Sequence, residues 1–170
     1  TVIDYIKDKI TIDETRIYSS GMSNGGYMSY HLACNLDNTF AAVVSVTGSM
    51  TNDTFDSCAP SHPIAAMQIH GVQDLTVPYL GSGWSKSIDD VIDYWVNYNS
   101  CDTEPDRVIK YSNQTNLINF DTYGSCINNV NVKLILHSEM GHNWPFIQNY
   151  NIDASHEIWD FVSKYDINGL

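Results

Sequence analysis

The chain has 170 residues, of which 43% are hydrophobic, and its formal net charge is −12, from 20 acidic and 8 basic side chains. This length is enough to bury the core of one domain. The basic residues are scattered, so the charge argues against nucleic acid and against an anionic membrane surface as partners. No apolar run approaches the roughly 20 residues of a membrane span. Any export signal is expected upstream of Thr1.

Apolar patterns of helical and strand type alternate along the chain, as βαβ units require. In chain order they predict a helix over 1–10, a strand over 16–20, a helix over 24–35, and buried strands over 41–47 and 64–70. A helix with core positions Ile88, Val91, Ile92, Trp95 and Val96 follows. A polar insert over 101–129, a strand over 131–137 and a last helix complete the chain. The last helix carries an apolar stripe at Ala154, Ile158, Phe161, Val162 and Tyr165. This alternation predicts an α/β fold with a doubly wound, mainly parallel sheet that lacks its N-terminal strands.

The junction between the first strand and the second helix reads Gly21-Met22-Ser23-Asn24-Gly25, a G-x-S-x-G pattern typical of a nucleophile elbow. Ser23 would sit on a strained turn with its hydroxyl exposed above the sheet. We expect a Cβ at Gly21 or Gly25 to collide with the neighbouring strand or helix. The N–H of Asn24 would point at the oxyanion from the positive end of the helix.

An acid and a base follow later strands in the order Ser, acid, His. The strand over 64–70 leads to Asp74, and the strand over 131–137 leads to His142. A serine hydroxyl needs an imidazole to take its proton, and the imidazole needs a carboxylate to orient it. His137, at the end of its strand, is the rival base, but Gly141 gives His142 the freedom of a loop.

Other ionisable side chains are expected to have ordinary roles. His31 and His156 lie in helices, where histidines usually fill the surface or the core. Asp89, Asp90 and Asp93 share one helix, whose charged face is expected to be solvated.

Four aromatic residues could contact a substrate. Trp84, Trp144, Tyr27 and Tyr79 could provide stacking surfaces for a sugar ring or a phenolic acyl group. Aromatic side chains in such loops can equally pack over the core, and the sequence does not choose between the two roles.

Together these motifs resemble the secreted polyhydroxybutyrate-depolymerase-like esterases of the α/β-hydrolase superfamily, a group similar to feruloyl and acetylxylan esterases. The resemblance rests on 21–29, on 40–43, on His70-Gly71 with Asp74 and 77–79, on Gly141-His142 with Trp144-Pro145, and on 153–161. It implies an α/β-hydrolase fold over 1–170 as a single catalytic domain, a Ser23/Asp74/His142 triad, and no metal or organic cofactor.

Only 22 residues precede Ser23, whereas such hydrolases place a second oxyanion donor well upstream of the serine. The sequence therefore predicts a C-terminal portion of a larger enzyme. The strand over 16–20 should lie at an exposed sheet edge. The isolated chain should self-associate or hydrolyse esters poorly.

Four cysteines, Cys34, Cys58, Cys101 and Cys126, lack the C-x-x-C spacing of zinc or thioredoxin-like sites. They could be buried thiols or disulfides. The resemblance implies the sequence-local pairs Cys34–Cys58 and Cys101–Cys126, which fit an oxidising compartment and a secreted or periplasmic protein. Two short sequons, at 52–54 and 113–115, match the N-glycosylation pattern.

The predicted function is a secreted serine esterase that acts through an acyl-enzyme. The substrate would be a polyhydroxyalkanoate-type polyester or a feruloyl or acetyl ester of plant cell-wall polysaccharide. One alternative is a serine peptidase of the prolyl-oligopeptidase type, and another is a non-catalytic fragment or carbohydrate-binding remnant.

Overall fold

A computed structural model describes residues 1–112 and 116–170, which are built around one six-stranded sheet. Its strands in chain order are β1 (Tyr18–Met22), β2 (Ala42–Val46), β3 (Ala65–Gly71), β4 (Asp106–Tyr111), β5 (Leu117–Tyr123) and β6 (Val132–His137). Their order across the sheet is β1-β2-β3-β6-β5-β4. The strands β1, β2, β3 and β6 are parallel, whereas β5 runs antiparallel to both β6 and β4.

In the described part of the chain, six α-helices flank the sheet: α1 (Val2–Lys7), α2 (Asn24–Asn35), α3 (Asn52–Ser57), α4 (Ile88–Tyr98), α5 (Ile147–Tyr150) and α6 (Ala154–Val162). A 3-10 turn spans Ile127–Asn129. Four helices begin where a hydroxyl or carboxylate accepts a backbone N–H of the first turn, which satisfies a donor that the helix leaves unpaired. The capping residues are Thr1, Thr51, Ser87 and Asp153.

The core has two layers because both faces of the parallel strands are apolar. Val44 and Met67 belong to the layer under α6. Val43 and Ala66, their neighbours in sequence, belong to the layer under α2 and α4. This is a doubly wound α/β arrangement of the α/β-hydrolase type, as the sequence predicted.

The predicted elements agree closely with the parallel part of the fold. The bounds of α2 match, and every predicted core position of α4 is buried. In the last helix Ile158 is only partly buried, while the other four positions of its stripe are buried. The first helix ends at Lys7, and Ile10 is 61% exposed, so the apolar spacing at 3, 6 and 10 did not mark a core face.

The prediction of a polar insert over 101–129 was wrong, because this segment contains two strands of the sheet. β5 pairs along β6, and β4 pairs outside β5. Arg107 and Asp121 join the two strands with two hydrogen bonds of 2.6 and 2.7 Å. All six residues of β4 are exposed, so this strand lacks the alternation that marks a half-buried strand. The second sequon, 113–115, lies outside the described residues.

Two further predictions concern the edge and the cysteines. Within the described residues β1 is an outer strand of the sheet, as expected. Both predicted disulfides are formed, with Cα–Cα distances of 4.6 Å for Cys34–Cys58 and 3.9 Å for Cys101–Cys126. None of the helices in the described part of the chain is long and apolar enough to cross a membrane.

Candidate active site

Ser23 stands on a sharp turn between β1 and α2. Its backbone dihedrals are φ 54° and ψ −116°, a conformation that non-glycine residues rarely adopt and that often marks a functional site. The turn is held on both sides. The Ser23 N–H donates to Val46 O at 2.8 Å, and the Ser23 carbonyl accepts from Gly26 N at 2.9 Å. The Ser23 hydroxyl makes no capping hydrogen bond to the helix that it precedes.

The glycines around Ser23 differ in how much space a side chain would have at each position. A Cβ on Gly21 would lie 2.7 Å from the Gly25 backbone, so the strand and the helix meet there. A Cβ on Gly26 would lie 2.3 Å from Ser45 Oγ on β2. A Cβ on Gly25 would meet nothing within 4 Å, so the expected collision at this position was wrong. The close approach of α2 to the sheet therefore depends on Gly21 and Gly26.

Asp74 follows β3 and is 2% exposed. One carboxylate oxygen accepts the backbone N–H groups of Thr76 at 2.9 Å and Val77 at 2.8 Å. The other oxygen lies 2.8 Å from His142 Nδ1. A buried carboxylate in this position holds the proton of the imidazole on Nδ1 and leaves Nε2 as the basic nitrogen.

His137, the rival base, is 1% exposed at the end of β6. Its Nδ1 accepts the Glu139 N–H at 3.0 Å, and its ring meets the Tyr150 ring edge-on with centroids 5.2 Å apart. Burial lowers the pKa of His137. These contacts fit a core histidine. Of the two candidates for the base, His142 is the one with a carboxylate partner on its Nδ1.

Ser23, Asp74 and His142 follow β1, β3 and β6, whose carboxyl ends lie at one edge of the sheet because these strands are parallel. The structure joins Asp74 to His142. Among the hydrogen bonds of residues 1–112 and 116–170, none links Ser23 Oγ to His142. The convergence of all three side chains therefore stays a prediction.

Asn24 is the first residue of α2, a helix of 12 residues. The first N–H groups of a helix have no acceptor within the helix and carry its positive dipole end. The Asn24 N–H is therefore free of the helix ladder and remains the candidate oxyanion donor.

The four aromatic candidates fall into two pairs. Tyr27, one turn after Ser23 on α2, lies against Trp84 with ring centroids 5.3 Å apart, and Trp84 is 55% exposed. Tyr79 instead packs against the core and donates its hydroxyl hydrogen to Asp89. Trp144 packs against the core layer under α6. Tyr27 and Trp84 thus present an aromatic surface beside the elbow.

Sequence reasoning missed a buried polar chain beneath the site, formed by Tyr30, Gln68 and His70. All three side chains are 0% exposed. Tyr30 is hydrogen-bonded to Gln68, and Gln68 to His70. The available signal was the pair of polar residues inside the apolar strand over 64–70. Residues 1–112 and 116–170 contain no group of three or more His, Cys, Asp or Glu side chains that could hold a metal ion.

The serine elbow after β1 and the carboxylate–imidazole pair beyond β3 and β6 are features of an α/β-hydrolase. Comparison with known proteins agrees: residues 1–75 match the prolyl oligopeptidase family.

Over 169 residues the chain is 26% identical to a bifunctional acetylxylan esterase/xylanase of Neocallimastix patriciarum, covering 99% of this chain and 23% of that protein. It is 27% identical to feruloyl esterase B of Piromyces equi, covering 88% of this chain and 30% of that protein. It is 36% identical over 81 residues to a probable feruloyl esterase C of Aspergillus flavus, covering 47% of this chain and 28% of that protein.

The resemblance to feruloyl and acetylxylan esterases is thus confirmed. The chain spans about a quarter to a third of the length of these relatives. The polyhydroxybutyrate-depolymerase part of the resemblance stays a prediction.

Proposed function

We propose that this chain carries the catalytic triad of a serine esterase. The observation that supports this most is the 2.8 Å hydrogen bond between Asp74 and His142, in loops at the same sheet edge as the Ser23 elbow. Two disulfides fit our further proposal that the protein works in an oxidising, extracellular or periplasmic compartment.

The reaction would run through an acyl-enzyme. Ser23 Oγ attacks the ester carbonyl while His142 Nε2 takes the hydroxyl proton. The imidazolium then gives that proton to the departing alkoxide, so an alcohol leaves and Ser23 holds the acyl group. Water repeats the sequence in the second half: it loses a proton to His142, the acid is released, and the proton returns to Ser23. Asp74 orients the imidazole throughout and stabilises its positive charge.

The Asn24 N–H would stabilise the oxyanion that forms on the carbonyl oxygen. Removing one such donor costs about 10²–10³-fold in kcat in serine hydrolases. A second donor would therefore matter as much as the first.

The substrate class follows from the relatives and from the surface beside the elbow. The named relatives are feruloyl and acetylxylan esterases, and Tyr27 with Trp84 offers an aromatic surface for a phenolic acyl group or a sugar ring. A net charge of −12 favours neutral esters. We therefore propose feruloyl or acetyl esters of plant cell-wall polysaccharide, with a hydroxyalkanoate polyester as the competing substrate.

A second function has an observation of its own. The match of residues 1–75 to the prolyl oligopeptidase family favours a serine peptidase, which would use the same three side chains.

A substrate panel separates these functions. The protein is assayed on p-nitrophenyl acetate, methyl ferulate, a 3-hydroxybutyrate oligomer and a proline-containing peptide anilide. The variants are Ser23→Ala and, as a matched control, Ser20→Ala at an exposed position of β1. We expect ester turnover that Ser23→Ala abolishes and Ser20→Ala preserves. Preferential cleavage of the anilide would favour the peptidase. No turnover, with no labelling by a fluorophosphonate, would favour a non-catalytic fragment or carbohydrate-binding remnant.

A further inference from the structure

A polar chain crosses the apolar interior beneath the proposed active site. Tyr30 Oη donates to Gln68 Oε1 at 2.9 Å. Gln68 Nε2 lies 3.0 Å from Gly48 O and 3.0 Å from His70 Nδ1. His70 Nε2 lies 3.0 Å from Val77 O. Burial of this many polar atoms is costly unless each has a partner, and here each has one.

The hydrogen bonds of this buried polar chain can be donated in only one consistent direction. A tyrosine hydroxyl pointing at Gln68 Oε1 makes that oxygen the acceptor, so the amide NH₂ faces Gly48 O and His70. Gly48 O can only accept, so it takes one amide hydrogen. The second points at His70 Nδ1, which at 3.0 Å is closer to Gln68 Nε2 than Ile69 O at 3.4 Å. His70 must accept there, so its single proton is on Nε2 and is donated to Val77 O.

The far end of the chain reaches the proposed catalytic acid. Val77 is held twice, because its carbonyl accepts from His70 and its N–H donates to Asp74 Oδ1 at 2.8 Å. His70 Nε2 also lies 3.8 Å from Asp74 Oδ2, the oxygen that bonds His142. His70 is therefore in contact with both the turn over 74–77 and the Asp74 carboxylate.

The near end of the chain reaches the nucleophile elbow. Gly48, which accepts from Gln68, packs so closely on the elbow that a Cβ there would lie 2.8 Å from Ser23 O. Tyr30 belongs to α2, the helix that directly follows Ser23. One buried chain thus touches the supports of both Ser23 and Asp74.

We propose that His70, oriented by Gln68, is a positioning residue that holds Asp74 in hydrogen-bonding geometry with His142. This role depends on the proposed function, since it concerns the same triad, and His70 itself does not touch substrate.

The surroundings of His70 keep it neutral. Burial is the largest influence and lowers the pKa of His70, and nearby His142 lowers it further, while Val77 O and Asp74 act in the opposite direction. The Tyr79 ring, 6.4 Å away, is the other ionisable group facing it. A second proton on Nδ1 would oppose the Gln68 NH₂, so protonation would break the chain.

The first test is independent of activity. ¹⁵N NMR of the histidine-labelled protein reports the tautomer and charge of each imidazole. We expect His70 to stay neutral, with its proton on Nε2, from pH 5 to 8. A proton on Nδ1, or a full titration near pH 6.5, would overturn the proposed direction of the chain.

The second test measures His142 while His70 is changed. His70→Leu removes both hydrogen bonds, whereas His70→Gln keeps a donor for Val77 O. His62→Gln is the matched control, because His62 Nε2 also lies within hydrogen-bonding distance of a backbone carbonyl, Phe40 O, at 3.1 Å. We expect the ¹H resonance of the His142 Nδ1–H to move upfield in His70→Leu, because a displaced Asp74 carboxylate accepts that hydrogen bond less well. It should recover in part in His70→Gln and stay unchanged in His62→Gln.

Kinetics complete the design. In His70→Leu we expect kcat for the ester to fall by about 10- to 100-fold with KM unchanged, because a misplaced carboxylate no longer holds the base in productive geometry. If His70 is only structural, both its variants will melt earlier while the His142 Nδ1–H resonance matches that of the unmodified protein, and the proposal fails. If the unmodified protein hydrolyses no ester but the NMR results hold, the proposed function fails and the positioning of Asp74 stands. If His70→Leu does not fold, His70→Gln and the tautomer measurement decide.

Discussion

Replacing Gly21 by Ala tests whether close contact between strand and helix builds the elbow. The added Cβ would lie 2.7 Å from Gly25 C and Cα and 2.9 Å from Gly25 O. These are backbone atoms, so no side chain can rotate away, and α2 must shift relative to β1. Because Ser23 lies between the two elements, it must shift with them.

The size of the effect follows from the overlap. Overpacking in a close-packed interior costs about 1–3 kcal/mol. For a domain of this size each kcal/mol lowers Tm by roughly 2–4 °C, so Gly21→Ala should melt about 2–12 °C earlier. Gly25→Ala is the matched control, since its Cβ meets nothing within 4 Å. Alanine is also favoured over glycine in a helix by up to about 1 kcal/mol.

Thermal unfolding followed by circular dichroism measures stability, and the rate of Ser23 labelling by a fluorophosphonate measures the elbow. We expect Gly21→Ala to lose both stability and labelling rate, and Gly25→Ala to keep the stability or gain a little. Equal melting temperatures for the two variants would refute the packing argument. A stable Gly21→Ala with full labelling would show that the elbow does not depend on this contact.

Three further predictions concern the acid, the buried histidines and a disulfide. Asp74→Asn should lower kcat for an ester about 10³–10⁴-fold, because the amide favours the wrong imidazole tautomer; a loss under tenfold would argue against Asp74 as the orienting acid. His70 and His137 have lowered pKa values in the folded protein, whereas a histidine of the unfolded chain has a pKa of about 6.5. Below that pH the unfolded chain therefore binds more protons than the folded protein. The free energy of unfolding, measured in urea, should therefore fall as pH drops from 7 to 5, by at most about 1.4 kcal/mol per pH unit for each histidine; a flat profile would contradict this. Replacing Cys101 and Cys126 by Ser opens a link across a sequence separation of 25 and should lower the free energy of unfolding by about 3.5 kcal/mol; an unchanged urea midpoint would contradict this.

The sequence predicted the parallel half of the fold because burial on both faces leaves continuous apolar strands between amphipathic helices. It also predicted that Asp74 and His142 lie close together, since the loops that follow buried parallel strands meet at the carboxyl edge of the sheet. The pairing of these two side chains at 2.8 Å is a consequence of that placement.

The parts that the sequence missed have three separate physical causes. β4 is exposed along its whole length, and its pairing with β5 depends on backbone hydrogen bonds that leave no hydrophobic pattern. The chain through Gln68 and His70 joins residues that are far apart in sequence, so no local pattern could reveal its partners. The collision predicted for a Cβ on Gly25 was wrong, because a sequence motif does not show which way that Cβ would point, whereas the structure does.

The most direct test of the triad is to locate the serine that a fluorophosphonate modifies. Labelled protein is digested and the adduct is mapped by mass spectrometry for the unmodified chain, for His142→Gln and for the control His62→Gln. The triad predicts one adduct, on Ser23, formed at equal rates in the unmodified chain and the control and strongly slowed in His142→Gln. An adduct on another serine, or a Ser23 adduct that forms equally fast without His142, would contradict it.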